Sequence, residues 1–170
     1  LAAAYVRGIQ SQGVAACPKH FAVNSQETHR MSVDEVVDER TLRELYLPGF
    51  EAAVAAGART IMTSYNLVNG TYANENAHLL KEILRDDWGF TGAVVTDWGG
   101  SNDHALGVKN GSTLEMPAPG LDSVRELVKA VHDGKISEVD VNARLEELLA
   151  LIDSTTPALE NAPKTIDWDA

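Results

Sequence analysis

Short apolar runs alternate with amphipathic stretches along the chain. Four of these runs are continuously apolar or nearly so, which is typical of strands covered on both faces in a parallel sheet. They are residues 14–17, 60–64, 93–96 and 112–116. Because helical periodicity fills the stretches between them, we predict an α/β domain whose parallel strands are joined by right-handed crossovers.

Capping residues predict where the helices begin and end. Asp38 can cap a helix that starts near Glu39, and Pro48 can start the next one, which would stop at Gly57. Core-facing spacing predicts further helices over residues 79–88, 121–132 and 141–152. From residue 153 onward the chain is polar, and we expect residues 153–170 to be a linker toward another domain.

Two architectures fit alternating strands and helices, an open doubly wound sheet and a (β/α) barrel. Polar residues follow the C-terminal end of each predicted strand: Lys19, Tyr65, Asp97 and Glu115. In a barrel all these ends converge on one mouth, and no glycine-rich phosphate loop follows any of the strands. We therefore predict that residues 1–152 form a partial (β/α)8, TIM-like barrel whose other half is supplied from outside this sequence.

Composition narrows the possible partners. The chain has 170 residues, of which 44% are hydrophobic, enough for one packed domain. Its net charge of -11 argues against nucleic acid or an anionic membrane as a partner, because both are bound through Lys and Arg. Cys17 is the only cysteine, so an internal disulfide is excluded. A helical pattern starts at Leu1, as expected for a piece of a longer protein.

Asp97 is the strongest candidate for chemistry. Together with Trp98 it ends an apolar run, so its carboxylate would face the mouth while the strand holds its backbone. Such a residue is either a turn or capping residue, or else a nucleophile or general base. Lys19 and His20 end an earlier run at the same mouth, where charge and hydrogen bonds would keep the carboxylate ionised. This juxtaposition favours the functional interpretation.

Other polar residues extend the candidate site. Tyr65 would add a phenol to the mouth, and Glu115 is a strand-end carboxylate that is either a structural acceptor or a second acid. Glu27 and Arg30 can pair within a polar loop. The histidines lack the spacing of zinc ligands, so we predict no metal site. Lys19, if buried, could instead form a Schiff base.

Taken together, these motifs resemble glycoside hydrolase family 3, the β-glucosidase group. The resemblance extends in order over about residues 1–152, and Thr96-Asp97-Trp98 is its most specific part. It is carried by residues 19–21, 24–30, 40–44, 62–66, 80–90, 94–98 and 114–117. It implies that the chain is the second half of the family's N-terminal barrel domain, about its last four βα units.

The resemblance also implies roles for individual residues. Asp97 would be the nucleophile of a retaining β-glycosidase, forming a covalent glycosyl intermediate with a terminal β-D-glucosyl residue. Lys19 and His20 would hydrogen-bond hydroxyls of that sugar, and Tyr65 would lie beside the nucleophile. Trp98 would line the aglycone side of the pocket, and Met62 and Glu115 would line its floor or wall. The expected substrate is a β-glucoside or a short β-linked oligosaccharide, and no cofactor is implied.

Departures from the family pattern sharpen this expectation. Residues 22–27 lack the histidine of the branch that acts on N-acetylglucosaminides, which favours a glucosidase or xylosidase. In the glucosidase branch the proton donor is a glutamate of a following α/β sandwich domain, outside this sequence. We therefore expect this chain by itself to hold the nucleophile but not the acid, and to be inactive. The alternatives are a non-catalytic sugar-binding or scaffolding barrel fragment and, third, a Schiff-base lyase using Lys19.

Overall fold

Short parallel strands and intervening helices form the chain in the computed structural model, which describes residues 1–118, 120–160, 162 and 165. The α-helices are α1 (Ala2–Gln10), α2 (Glu39–Thr41), α3 (Pro48–Ala55), α4 (His104–Asn110), α5 (Leu121–His132) and α6 (Glu138–Glu160). Residues Leu42–Tyr46 and His78–Asp87 are π-helical, and Ala73–Glu75 is a short 3-10 helix. The strands are β1 (Asp34–Glu35), β2 (Thr60–Met62), β3 (Leu67–Val68), β4 (Thr71–Tyr72) and β5 (Ala93–Val95).

A parallel array of extended segments forms the centre of the fold. β2 and β5 pair in parallel. Phe21 makes a parallel bridge to Thr63 on one side of this pair, and Leu114 makes one to Val95 on the other. The four segments therefore lie side by side in chain order, which is how consecutive strands of a (β/α) barrel are arranged.

The first predicted strand, residues 14–17, is not part of a regular ladder. The Thr60 hydroxyl donates to the Ala16 carbonyl at 2.9 Å, and the first backbone bond to β2 is from Met62 N to Pro18 O, at 3.1 Å. Pro18 has no N–H, so it cannot donate the ladder bond that would come before this one. Regular pairing is therefore reduced to the bridge at Phe21.

The last predicted strand, residues 112–116, is also reduced to a single bridge, at Leu114. The Thr113 hydroxyl accepts from the Val94 N–H at 3.0 Å, and the Thr96 hydroxyl accepts from the Met116 N–H at 2.8 Å. Side-chain oxygens thus occupy positions that carbonyl groups take in a regular ladder. The segment keeps its place beside β5 but is not a strand.

Residues 153–160, which we expected to belong to a linker, continue helix α6 to Glu160. Tertiary contacts hold this end of the helix: Arg59 Nη1 donates to the Ser154 carbonyl at 3.1 Å. Gly13, at φ +79°, lies so close that an added Cβ would be 2.5 Å from the Ala158 methyl. Residues 161–170 lie outside the described residues except for 162 and 165, so the domain boundary after residue 152 stays a prediction.

A small three-stranded sheet is not predicted by the apolar pattern. β3 pairs in parallel with β1 and antiparallel with β4. The β3–β4 turn is Asn69-Gly70, both at positive φ, which is the sequence typical of a tight hairpin. The Asn69 side chain also accepts from Val37 N–H and donates to Val37 O, both at 2.9 Å. The strands are too short for a period-two pattern, but the Asn-Gly pair is a signal that could have located them.

The main hydrophobic core lies between the central array and the π-helix His78–Asp87. Its fully buried side chains include Phe21, Ile61, Leu80, Ile83 and Val94. Phe21 packs edge-to-face against Phe50 and Trp88, with ring centroids 5.1 and 6.1 Å apart. The core therefore anchors the segment that ends in Lys19 and His20 directly against β2.

No helix in the described ranges combines the length and apolar character needed to cross a bilayer.

Candidate active site

The strand β5 delivers Asp97 to the mouth of the array. Gly100 N–H donates to the Asp97 carbonyl at 2.8 Å, and Gly99 N–H donates to the Met116 carbonyl at 2.9 Å. Gly99 has φ +76°, a conformation that glycine adopts without strain. The backbone around Asp97 is thus tied both to its own turn and to the neighbouring segment.

Both carboxylate oxygens of Asp97 have partners. Oδ1 accepts from the Trp98 N–H at 2.7 Å, and Oδ2 is 3.2 Å from His20 Nε2. The side chains of His20 and Asp97 are 26% and 16% exposed. The structure therefore brings together an imidazole and a carboxylate from two segments that are 77 residues apart in sequence (97 minus 20), and leaves both open to a ligand.

Tyr65 lies beside this pair. Its hydroxyl donates to the Trp98 carbonyl at 2.8 Å, and its ring contacts the position of Gly100, where an added Cβ would be 3.4 Å from Cδ1. Burial first, and the neighbouring Asp97 carboxylate second, raise the pKa of the Tyr65 phenol. Tyr65 therefore remains a neutral hydrogen-bond donor next to Asp97.

Arg30 joins the same group, a position that the sequence did not reveal. Its guanidinium lies 4.7 Å from the centre of the Tyr65 ring, and Nη1 is 3.0 Å from Glu27 Oε2. The Glu27–Arg30 pair within the loop was predicted and is present. The stacking on Tyr65 was not predicted, because it depends on a tertiary contact between two loops.

Three other predicted site residues differ in how exposed they are and in where they lie relative to Asp97. Trp98 is 56% exposed, so a broad apolar surface lies beside Asp97. Met62 is half-buried on β2, opposite Val95. Lys19 is exposed and lines a groove with Tyr46, between α1 and α3. Within the described ranges no ion pair links Lys19 to Asp97, and the burial that activates a Schiff-base lysine is not present.

Glu115 is tied to other elements. Its Oε2 is 2.7 Å from His104 Nδ1, in α4, and accepts from the Ser123 hydroxyl, in α5, at 3.0 Å. These contacts favour the structural-acceptor interpretation over a second catalytic acid. Its assignment to the pocket wall stays a prediction.

The mouth combines one fixed carboxylate with hydrogen-bond donors and an exposed aromatic ring. In the described part of the chain, no three acidic, histidine or cysteine side chains converge as metal ligands would. The Asp97 carboxylate has the Trp98 N–H on one side and His20 on the other, and the exposed indole of Trp98 lies beside it. The parallel segments and their polar mouth together define part of a (β/α)-barrel domain.

The family follows from direct comparison. The model of the glycosyl hydrolase family 3 N-terminal domain matches residues 1–151, and the chain belongs to this family. It is therefore part of the family's (β/α)-barrel domain, as the sequence motifs predicted.

Individual relatives agree with this assignment. The β-glucosidase of Rhizobium radiobacter is 48% identical over 163 residues, which are 95% of this chain and 20% of that protein. An exo-alpha-(1->6)-L-arabinopyranosidase of Bifidobacterium longum is 41% identical over 166 residues, 97% of this chain and 22% of its own length. Beta-glucosidase 3B from Thermotoga neapolitana, solved in complex with glucose, superposes with a TM-score of 0.88 at 39% identity, over 93% of this chain and 23% of that one. The chain thus spans about a fifth of the length of its curated relatives.

Proposed function

We propose that the protein containing this chain is a retaining β-glycosidase that releases terminal β-D-glucosyl residues, with Asp97 as its nucleophile. The observation that supports the proposal most strongly is the Asp97 carboxylate, held by the Trp98 N–H and by His20 at the C-terminal mouth of the parallel segments. The names of the relatives support a sugar substrate, and the β-glucosidases among them favour glucose.

The proposed reaction has two steps. In the first, an Asp97 carboxylate oxygen attacks the anomeric carbon while the bond to the leaving-group oxygen breaks, and that oxygen takes a proton from a general acid. In the second, water attacks the same carbon, the bond to Asp97 breaks, and the proton of the water returns to the acid residue, now acting as base. The two inversions at the anomeric carbon give net retention.

The residues around Asp97 fit the demands of these steps. The contacts to both carboxylate oxygens hold the attacking group in one orientation. The Tyr65 hydroxyl donates to the Trp98 carbonyl and can still accept from a sugar hydroxyl, as the His20 imidazole can bind another one. The exposed face of Trp98 suits an aglycone ring. Lys19 is adjacent to His20 in the chain, and we retain its predicted role as a further sugar ligand.

The acid is expected from another part of the protein. Glu115, the other carboxylate that follows a central segment, is engaged by His104 and Ser123. A missing general acid costs about 10²–10⁴ in rate. We therefore propose that this chain by itself does not hydrolyse glycosides, and that turnover needs the remainder of the protein.

Replacement of Asp97 in the complete protein tests the function. Asp97→Ala should lower kcat for an aryl β-glucoside by at least about 10³-fold, because no covalent intermediate can form. Azide should restore product formation as the α-glucosyl azide, since a small nucleophile then occupies the space of the carboxylate. Asp122→Asn, which alters an exposed carboxylate paired with Arg125, is the matched control and should retain full activity.

Other results would point elsewhere. Turnover of an aryl α-L-arabinopyranoside or β-xyloside in place of the β-glucoside would change the sugar assignment and keep the mechanism. Glucose binding that is unaffected by Asp97→Ala, with no turnover of any of these substrates by the complete protein, would indicate a non-catalytic sugar-binding module.

A further inference from the structure

Glu75 is a buried carboxyl group that the proposed chemistry does not use. It ends the 3-10 helix Ala73–Glu75 and is 3% exposed. Glu75 Oε1 accepts from two consecutive backbone N–H groups, those of Asn102 at 2.8 Å and Asp103 at 3.3 Å. A buried acid that binds two adjacent backbone donors fixes the conformation of that turn.

This turn is the far end of the loop that carries Asp97. The near end is held by β5 and by the bond from Gly99 N–H to Met116 O. At the far end, Asp103 caps α4 by accepting from the Leu106 N–H at 2.9 Å. The loop of residues 97–103 is thus held at one end by β5 and at the other by hydrogen bonds to the Glu75 carboxyl group.

The backbone of Glu75 holds the other end of the same helix. Asn110, the last residue of α4, donates from Nδ2 to the Glu75 carbonyl at 2.7 Å. The adjacent Asn74 accepts from the Ser112 hydroxyl at 2.9 Å and lies 3.1 Å from where a Cβ on Gly107 would be. Glu75 and Asn74 together therefore contact α4 and hold it in place.

We propose that Glu75 is a positioning residue for the nucleophile, which fixes the 97–103 loop so that the Asp97 carboxylate meets His20 and the sugar in one orientation. The inference rests on the proposed function of Asp97. It does not make Glu75 a sugar ligand or a proton donor, since both of its Oε1 bonds are to backbone.

The charge of Glu75 is not what the role requires. Its Oε2 and the Ser101 hydroxyl are buried and have no hydrogen-bond partner among the described residues. Burial raises the pKa of the Glu75 carboxyl, and a protonated carboxyl still accepts both N–H bonds through Oε1. Glutamine keeps that acceptor, alanine removes it, and aspartate withdraws it by one methylene.

The test measures covalent trapping of the complete protein by a 2-deoxy-2-fluoro-β-glucoside. The rate constant of inactivation and the affinity for the inhibitor are determined separately. For Glu75→Ala and Glu75→Asp we expect the rate constant to fall about 10–100-fold with affinity changed less than about 3-fold, since a misplacement near 1 Å costs about 10²-fold. Glu75→Gln should remain within about 3-fold of the wild-type rate constant. Amide hydrogen exchange over residues 97–103 should become faster in the alanine and aspartate variants only.

Destabilisation is separated from positioning by a control. Glu147→Ala removes a buried carboxylate of α6, far along the chain from the loop, and should lower the melting temperature without changing the rate constant while the protein is folded. A folded Glu75→Asp protein that is trapped at the wild-type rate would overturn the inference, as would a glutamine variant as slow as the alanine one. Wild-type protein that is trapped at a residue other than Asp97 would instead remove the proposed function, and this inference with it.

Discussion

At the residue scale, the orientation of Asp97 is set by groups of different rigidity. The Trp98 N–H belongs to the same turn and cannot move without the backbone, whereas His20 reaches Oδ2 from another segment. The Tyr65 hydroxyl donates to the Trp98 carbonyl, so it stabilises the turn that carries Asp97 as well as lying where a ligand would bind. Removing the phenol oxygen should therefore affect the nucleophile through the backbone.

Tyr65→Phe tests this effect. The variant loses one hydrogen bond, worth about 0.5–1.5 kcal/mol, so kcat/KM of the complete protein should fall about 2- to 12-fold. Tyr46→Phe is the matched control, because its hydroxyl only accepts a 3.2 Å bond from Ser25 away from Asp97. Equal activity of the Tyr65→Phe variant and the wild type would show that the bond to Trp98 does not support catalysis.

At the element scale, a histidine links two helical segments. His78 Nε2 is 2.8 Å from Glu39 Oε2, in α2, and Nδ1 is 2.6 Å from Glu82 Oε2. Arg43 adds bonds to Glu39 and to Asp87, so the π-helices Leu42–Tyr46 and His78–Asp87 share one ionic surface. Hydrogen bonds to Glu82 and Glu39 raise the pKa of His78 above its ordinary 6.5.

This shift gives the link a pH dependence with a definite sign. Because the folded-state pKa is raised, the stabilisation is complete below about pH 6.5 and is lost as the pH rises through the higher folded-state value. His78→Gln should therefore lower the melting temperature at pH 5.5 and have less effect at pH 9. The side chain is 40% exposed, so solvent screening limits the loss to about 0.5 kcal/mol.

A second histidine is the control for this measurement. His132 is 88% exposed and lies 3.6 Å from Asp133. His132→Gln should leave the melting temperature the same as that of the wild type at both pH values. A loss in the His78→Gln protein that grows from pH 5.5 to pH 9 would have the wrong sign for this account.

Sequence patterns predicted some elements and missed others for identifiable reasons. Apolar runs located β2 and β5, and Asp38 does cap α2 by accepting from Thr41 N–H at 2.9 Å. Residues 14–17 and 112–116 are not regular strands. A proline removes a ladder donor beside the first run, and threonine hydroxyls take the place of carbonyl acceptors beside the second, neither of which an apolar pattern indicates. The end of α6 depends on contacts with Gly13 and Arg59, so local polarity and Pro157 were misleading there.

The same distinction applies to the candidate site. His20, Tyr65 and Asp97 were predictable as neighbours, because the C-terminal ends of parallel strands converge. The contacts of Glu115 were not, since they come from α4 and α5, and α4 was not predicted. Glu75 lies in a short 3-10 helix with no periodicity, and only the fold places it under the Asp97 loop.

At the scale of the whole molecule, a buried ionic network fastens α6 to the central array. Glu147 of α6 is 2.7 Å from Arg85 Nη1 and 2.5 Å from Arg144 Nη2, and it accepts from the Thr113 hydroxyl at 2.6 Å. Arg85 also donates to the Gly111 carbonyl at 2.7 Å. These charged side chains are each less than 15% exposed, so water does not replace a lost partner easily.

Glu147→Ala should therefore be strongly destabilising. It leaves two buried guanidinium groups without their carboxylate, which costs about 3–5 kcal/mol, and should be seen as a lower melting temperature of the protein. Glu44→Ala removes only the exposed pair with Arg40 and should cost no more than about 1 kcal/mol. Similar losses for the two variants would mean that the Glu147 network contributes no more than a surface pair.

The proposed chemistry depends on the Asp97 carboxylate, so the decisive experiment identifies the residue that bonds to the sugar. The complete protein is inactivated with a 2-deoxy-2-fluoro-β-glucoside, digested, and its labelled peptide sequenced by mass spectrometry. We predict one glycosyl group, attached to Asp97, on a peptide that contains Val94-Val95-Thr96-Asp97-Trp98. A label on any other residue, or turnover of the reagent by an Asp97→Ala protein at the wild-type rate, would contradict the account.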